Sequence, residues 1–275
     1  MKSRPGGGRL ATYAAVASGG FRRYATYRLA TAAGVFTNSV FGCIICFTYL
    51  ALWQERPDIG GWDAQDAVTF VWIGQSLLMT VALFGGGFSD ELADRIRTGD
   101  IAVDLGRPVD LQGWRYAEDL GRSAFHLLGR GVAPTLVGAL LFSLAWPASP
   151  LTWLAFLGSV TLAVTVSFAI RYLIGLGAFW VLDVRGFVVV IGFVQLFCSG
   201  MVLPLVVFPA GLETALRLLP FAALIQVPAE VLLEKSTGWG LLAALGSQLG
   251  WAVVLLGAGR ALTRHATRRL VVQGG

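Results

Sequence analysis

The sequence predicts an all-α integral membrane protein with six transmembrane helices, and three observations carry that prediction. First, 56% of the 275 residues are hydrophobic and only 13% are charged, with a mean hydropathy of +0.70. Soluble domains carry about 25% charged residues, so this chain has too few to clothe itself in a wetted surface. Second, Leu29 to Gln54, Ala67 to Ser89, Gly186 to Leu212 and Ser236 to Gly259 contain no Asp, Glu, Lys, Arg or His. Each run exceeds the roughly 20 residues that cross a bilayer as a helix. Third, the arginines fall unevenly between the apolar runs, as the positive-inside rule demands of a protein that crosses repeatedly.

Residues 1–28 precede the first span. Met1 to Arg9 reads as a flexible tail; from Leu10 to Arg28, Tyr13, Val16, Phe21, Tyr24 and Tyr27 accompany Arg22, Arg23 and Arg28. Aromatics mixed with arginines just before a span suit a helix lying in the membrane interface. A cleavable signal peptide is not expected, because the first apolar run is too long for a signal core and ends at Gln54-Glu55-Arg56.

The transmembrane domain covers 29–262, with spans at roughly 29–53, 67–89, 124–146, 151–182, 186–208 and 237–260. Gly131 to Ile170 is uncharged but too long for one span, and Trp146-Pro147-Ala148-Ser149-Pro150 divides it, since proline stops a helix. Helices are expected throughout because hydrocarbon offers the backbone no hydrogen-bond partner. With a cytoplasmic N-terminus, Lys2, Arg4, Arg9, Arg22, Arg23, Arg28, Arg95, Arg97, Arg107, Arg115, Arg122, Arg185, Arg260, Arg264, Arg268 and Arg269 all lie inside. Only Arg56, Arg217 and Lys235 lie outside. Both termini are therefore predicted to be cytoplasmic, with 263–275 a basic tail that snorkels toward phospholipid and does not read as a nucleic-acid site. Lysine is confined to Lys2 and Lys235, a usage that suits a GC-rich bacterial genome. Cys43, Cys46 and Cys198 sit within apolar spans and read as buried thiols, without the further ligands a metal site needs.

Two segments between spans are informative. The stretch 90–110 and its continuation to Arg122 hold Asp90, Glu91, Asp94, Asp100, Asp104, Asp110, Glu118 and Asp119, half of the sixteen acidic residues, mixed with five arginines. Leu92 and Ile96 are four apart and share one face of a short helix, which Thr98-Gly99-Asp100 should stop. Such a helix, hung from a membrane span, suits docking onto a soluble partner. The stretch 209–235 follows the fifth span. Glu213 and Arg217 are spaced to pair on one turn, and the twelve uncharged residues Leu218 to Ala229, with Pro220 and Pro228, are too few to cross. A re-entrant hairpin is expected there, and such a hairpin lines a cavity or is buried in protein.

These segments resemble permeases of the ABC-2 type. The first match is Ile96-Arg97-x-Gly99-x-Ile101-x-x-x-Leu105-x-Arg107-Pro108, in which Asp104 departs from the family's usual leucine. The second is Ser199-Gly200-x-x-x-Pro204-Leu205-x-x-Phe208-Pro209-x-x-Leu212-x-x-x-Leu216-x-x-Leu219-Pro220-Phe221, then Pro228-x-Glu230-x-Leu232-Leu233, similar to compact six-span, viologen- and drug-exporter-like subunits. The resemblance implies two facing permeases, identical or homologous, above two copies of a separate ATPase that holds the ATP and magnesium. It implies no cofactor in this chain. The segment around 90–105 resembles a coupling helix, so Glu91, Leu92, Arg95, Ile96, Gly99, Asp100, Arg107 and Pro108 are candidate ATPase contacts, with Arg185 in the Val184-Arg185 turn as a second contact. Pro204, Pro209, Pro220, Phe221, Pro228 and Glu230 would shape an outer gate.

The chemistry the sequence lacks narrows the alternatives. No G-x-x-x-x-G-K-[ST] loop is present, and His126 and His265 form no triad or metal constellation. A membrane enzyme would want polar groups clustered at one depth. An ion-coupled secondary transporter would want carboxylates deep in the bilayer, and the spans as drawn carry none. Gln75, Arg171 and Gln195 are candidate linings of a substrate path, with helix–helix hydrogen bonding the alternative for the two glutamines and structural anchoring the alternative for Arg171; Arg130 reads as structural, and Gly246-x-x-x-Gly250 is expected to serve packing within the chain. Gly85-Gly86-Gly87 reads as the terminus of the second span, with a hinge as the alternative. The expected cargo is a small lipophilic or cationic compound, with a lipid, glycan or peptide as rivals, moved out across a bacterial cytoplasmic membrane.

Overall fold

A computed structural model of the chain describes residues 7–82, 88–181 and 183–267, and the Gly85-Gly86-Gly87 run lies outside them. The described residues form helices α1 (Gly7–Ala25), α2 (Arg28–Glu55), α3 (Ala64–Leu78), α4 (Phe88–Thr98), α5 (Ile101–Leu105), α6 (Leu111–His126), α7 (Val132–Leu141), α8 (Pro150–Leu176), α9 (Arg185–Cys198), α10 (Ala210–Arg217), α11 (Gln226–Leu232) and α12 (Trp239–Thr267). No β-strand occurs among the described residues. A π-helical turn, Leu127–Gly131, joins α6 to α7 without a break.

Four helical stretches are long and apolar enough to cross a membrane: Arg28–Glu55, Leu111–Leu141, Pro150–Phe179 and Trp239–Thr267. The other two predicted spans are built shorter. The expected span 67–89 is realised as the 15-residue α3 and a turn reaching Ala82, and the expected span 186–208 as the 14-residue α9. At about 1.5 Å per residue either helix covers only about 21–23 Å, less than the roughly 30 Å of hydrocarbon. The third predicted span, drawn from 124, begins thirteen residues earlier, at Leu111, because its first turns carry charges that are buried inside the protein and escape a hydropathy reading.

α3 is the central element. Asp63 caps its start, accepting from the Asp66 amide (2.8 Å) while the Asp66 carboxylate accepts from the Asp63 amide (3.1 Å). Every residue from Asp66 to Gln75 is buried. Its Trp72 indole lies between Gly42 of α2 and Gly138 of α7, where an added Cβ would come within 2.7 and 2.3 Å of the ring, so only glycine admits the indole at both contacts. The main core gathers α2, α3, α8 and α11 around this helix; a second cluster, Leu92, Ile101, Leu111, Phe168, Tyr172 and Leu176, fills the space between α4, α5, α6 and α8.

α1 runs alongside α6 in the same direction, bringing Phe21 to Phe125 and Tyr24 to His126 with ring centroids 5.5 and 5.1 Å apart. The approach is close: a Cβ on Gly121 would sit 1.8 Å from the Ala17 carbonyl oxygen. The G-x-x-x-G of α12 is a correction. Gly246 and Gly250 face open space, so the motif takes no part in packing within the described chain. α12 packs instead on α8 through its other face, where Gln248 and Ala252 are buried.

Candidate coupling surface and buried charge cluster

α4 is amphipathic as its sequence indicates, and it ends at Gly99, whose φ of +82° and amide bond to the Ile96 carbonyl (3.3 Å) make the expected stop. The apolar face points the other way from expectation. Leu92 is fully buried in the second core cluster, and Ile96 packs against the same cluster from its edge. Leu92 is therefore not exposed on the surface of the described residues. The segment exposes Asp94, Arg97, Thr98, Gly99, Asp100, Ala102, Val103, Gly106, Arg107 and Pro108.

The charges of this segment largely pair with one another. Asp104 is buried and accepts from Arg95 Nε at 2.5 Å, with Arg107 and Arg115 each 3.6 Å away. Donating to Asp104 holds the Arg95 guanidinium above its ordinary pKa. Glu91 accepts from Arg115 at 3.0 Å, and Arg23 of α1 reaches Glu91 and Glu118 at 3.5 and 3.3 Å. Arg107 lies over the Trp114 ring, 5.3 Å from its centroid. Asp104, the departure from the family pattern, is thus the residue that ties α4, α5 and α6 together.

The two sequence segments expected to meet a partner meet each other. Asp90, Ala93, Asp94 and Arg97 of α4 and Asp183, Val184 and Arg185 at the start of α9 line one polar pocket of about 300 Å³. Asp183 accepts from the Arg185 amide at 2.9 Å, Arg97 donates to Asp94, and Asp90 Oδ1 is buried without a hydrogen-bond partner. No spacing in the sequence brings 90–97 to 183–185; the C-terminal end of α8 does so by packing on α4.

A second cluster was not anticipated. Arg171 of α8 makes two bonds to Asp119 of α6 (3.2 and 2.7 Å), and Arg122 Nε donates to the same carboxylate at 2.7 Å. Arg122 also donates to the Met79 and Thr80 carbonyls (2.8 and 3.0 Å), Ser123 Oγ donates to Thr80 (3.0 Å), and Ser167 Oγ donates to Val81. Those carbonyls are the ones left over where α3 stops, at a backbone that reaches φ +49° at Ala82. The negative end of α3 is met by a guanidinium, which suits the helix dipole. Asp119, which lies outside the spans as drawn, is buried on the long helical stretch Leu111–Leu141 and is doubly ion-paired. Arg171 belongs to this buried cluster. Ser89 Oγ donates to the Arg171 carbonyl at 3.0 Å, so the start of α4 is fastened to the same point.

The hairpin segment is held by amides. Gln226 accepts from the Leu205 amide (3.0 Å) and donates to Glu230 (2.8 Å), while its own amide donates to the Ser199 carbonyl (3.0 Å). Gln248 of α12 donates to the Ala223 carbonyl at 2.8 Å and to the Ser159 carbonyl at 3.2 Å, and accepts from Ser159 Oγ at 2.8 Å. Glu213 and Arg217 pair at 2.8 Å as their spacing indicates, and Arg217 also makes two bonds to Glu230 at 2.9 and 2.6 Å. Residues 222–233 are all buried, Pro228 and Glu230 among them. Pro204 is buried and starts the 3₁₀ turn Leu205–Val207, Pro209 caps α10, and Pro220 and Phe221 are partly buried before the turn into α11. Gln75 is buried on α3, its carbonyl accepting from Asn38 at 3.3 Å; Gln195 is the one buried residue of α9, its Nε2 without a partner. Arg130 lies across Gly34 of α2.

A bundle with four helices long and apolar enough to cross a membrane, with polar networks closing both a broken helix and a buried loop, defines the class of multi-pass helical membrane proteins. The family model described as ABC-2 family transporter protein matches residues 40–274, and the chain belongs to that family. Comparison with curated proteins gives no match. Membership makes the chain a membrane permease subunit of an ABC transporter, a class that works with an ABC ATPase.

Proposed function

We propose that the chain is the permease of an ABC exporter that moves a small lipophilic or cationic compound out of a bacterial cell. Two copies of a separate ATPase would power it, and a second permease, identical or homologous, would complete the path. The observation that supports the reading is the polar pocket shared by α4 and the start of α9, which brings together the two segments the sequence assigns to ATPase contact. That surface is presented by Asp94, Arg97, Gly99, Asp100, Arg107, Pro108 and Arg185, with Glu91, Leu92, Arg95 and Ile96 supporting it from within. Neither ATP nor magnesium is assigned to this chain; both belong to the ATPase.

In this reading the domain 29–262 makes six crossings, two of them interrupted. The second runs down α3 to the break at Met79–Ala82, and α4 belongs to the cytoplasmic coupling segment that follows it; the fifth is α9, which passes into the hairpin 209–235. The buried, amide-satisfied backbone at Ala222–Gln226 supports a re-entrant element, since a loop at membrane depth must find its hydrogen bonds in protein. Its position beside α8 and α12 suits an outer gate. Both termini, with the tails 1–28 and 263–275, lie in the cytoplasm of a cell whose inner membrane holds the protein. An ion-coupled carrier is less well supported, because protonating Asp119 would break two buried ion pairs at once. Co-expression with its ATPase and reconstitution into proteoliposomes tests the proposal. ATP-dependent outward movement of a lipophilic cation supports it, whereas transport driven by a proton gradient without ATPase refutes it.

A further inference from the structure

Around the arginine-rich end of the bundle, Arg23, Arg95, Arg107, Arg115, Arg122 and Arg171 each find a carboxylate. Arg260 and Arg264, one turn apart on α12, form no ion pair among the described residues. Both open onto a groove of about 610 Å³ between α1, α6 and α12, whose other walls include Tyr13, Asp110, Ala117 and Leu120. The groove is graded. Its polar end holds the two guanidiniums and Asp110, which uses one oxygen to cap the Gly113 amide at 2.7 Å. Its apolar end, at Ala117 and Leu120, lies two to three turns further along α6.

The depth of this grading matches a membrane interface. From Trp239 to Arg260 α12 covers about 32 Å, close to the thickness of the hydrocarbon layer, so Arg260 stands where headgroups begin. Gln112 donates to the Leu256 carbonyl, one turn before Arg260, at 3.1 Å, which ties the start of α6 to this end of α12. Two unpaired guanidiniums favour a phosphate, to which they donate charge-assisted hydrogen bonds. The free oxygen of Asp110 would then accept from a hydroxyl or amine on the headgroup, and the apolar end would receive the first carbons of an acyl chain.

We propose that the groove between α1, α6 and α12 is a binding site for the phosphodiester headgroup of a phospholipid, held by Arg260 and Arg264. The site stands apart from the coupling surface, and it depends on the membrane level of α12 and not on the direction of transport. The experiment is native mass spectrometry of the full chain released from nanodiscs of equal phosphatidylglycerol and phosphatidylcholine, which reads lipid retention without any transport or ATPase measurement. Wild type should retain phosphatidylglycerol preferentially, and Arg260→Gln/Arg264→Gln should lower that retention about twenty-five-fold, since each basic side chain near an anionic surface contributes about a fivefold gain. Leu120→Trp, which fills the apolar end and spares both arginines, should give a similar loss and serves should the double variant fail to fold. Equal retention of the two lipids by wild type, or unchanged retention in both variants, overturns the site. Displacement of the lipid by millimolar glycerol phosphate, equal to that by a short-chain phosphatidylglycerol, would show a site for soluble phosphate and overturn the lipid assignment.

Discussion

Asp119 holds two guanidiniums, and each of them has further work. Arg122 closes the carbonyls of the broken α3, while the backbone of Arg171 receives Ser89 of α4. Removing the carboxylate would leave two buried cations facing each other with only carbonyls and the Ser123 and Ser167 hydroxyls for partners. Stranding one member of a buried ion pair costs about 3–5 kcal/mol. Asp119→Asn should therefore destabilise the purified protein by that order, read as a fall in its thermal unfolding midpoint in detergent. Asp119→Asn combined with Arg171→Gln should recover part of the loss, because the second change removes one stranded charge. An additive double variant would mean that the two side chains do not act as a pair. Gln248 plays the corresponding part at the other end, where its amide closes both Ala223 and Ser159. Gln248→Leu should cost about 1–3 kcal/mol for each buried group left open, measured in the same assay.

Among the elements, α4 separates two kinds of residue that look alike in sequence. Leu92 and Ile96 form the apolar face of an amphipathic helix whichever neighbour that face meets, and the neighbour proves to be α8 and α5 of the same chain. Leu92→Asp should consequently unfold or retain the protein before assembly, whereas Arg107→Glu, on an exposed position, should leave insertion and stability intact and weaken ATPase association. Size-exclusion profiles of the permease and co-purification of the ATPase distinguish the two outcomes; equal behaviour of both variants would contradict the burial of Leu92. The helical class, the four long spans, the stop at Gly99 and the Glu213–Arg217 pair were legible because each rests on local pattern. The break in α3, the early start of α6 and the partners of Arg171 were not. They depend on Arg122, Ser123 and Ser167 arriving from elements 40 to 90 residues away, and apolar periodicity carries no mark of which carbonyls a distant guanidinium will reach. Asp119 was hidden for the same reason, since a charge neutralised in three dimensions still reads as solvent-facing in one.

At the scale of the molecule, the account rests on orientation and on partnership. In the proposed orientation α5 and the end of α12 lie on the inner side, with 56–63 and the turn before α8 outside. In a functional cysteine-free background, cysteine at Asp58 or Ser149 should react with an impermeant thiol reagent in whole cells or spheroplasts, and cysteine at Thr98 or Thr267 should not. Labelling of Thr98 from outside would reverse the topology, and with it the coupling surface. The most direct measurement is of ATP turnover with and without the partner. The purified chain should hydrolyse no ATP, and the complex formed with its ATPase should hydrolyse ATP and export cargo, both lost together when Arg107→Glu uncouples them. Sustained ATP hydrolysis by the chain alone, or export that persists when the ATPase is absent, would contradict its assignment as the permease subunit.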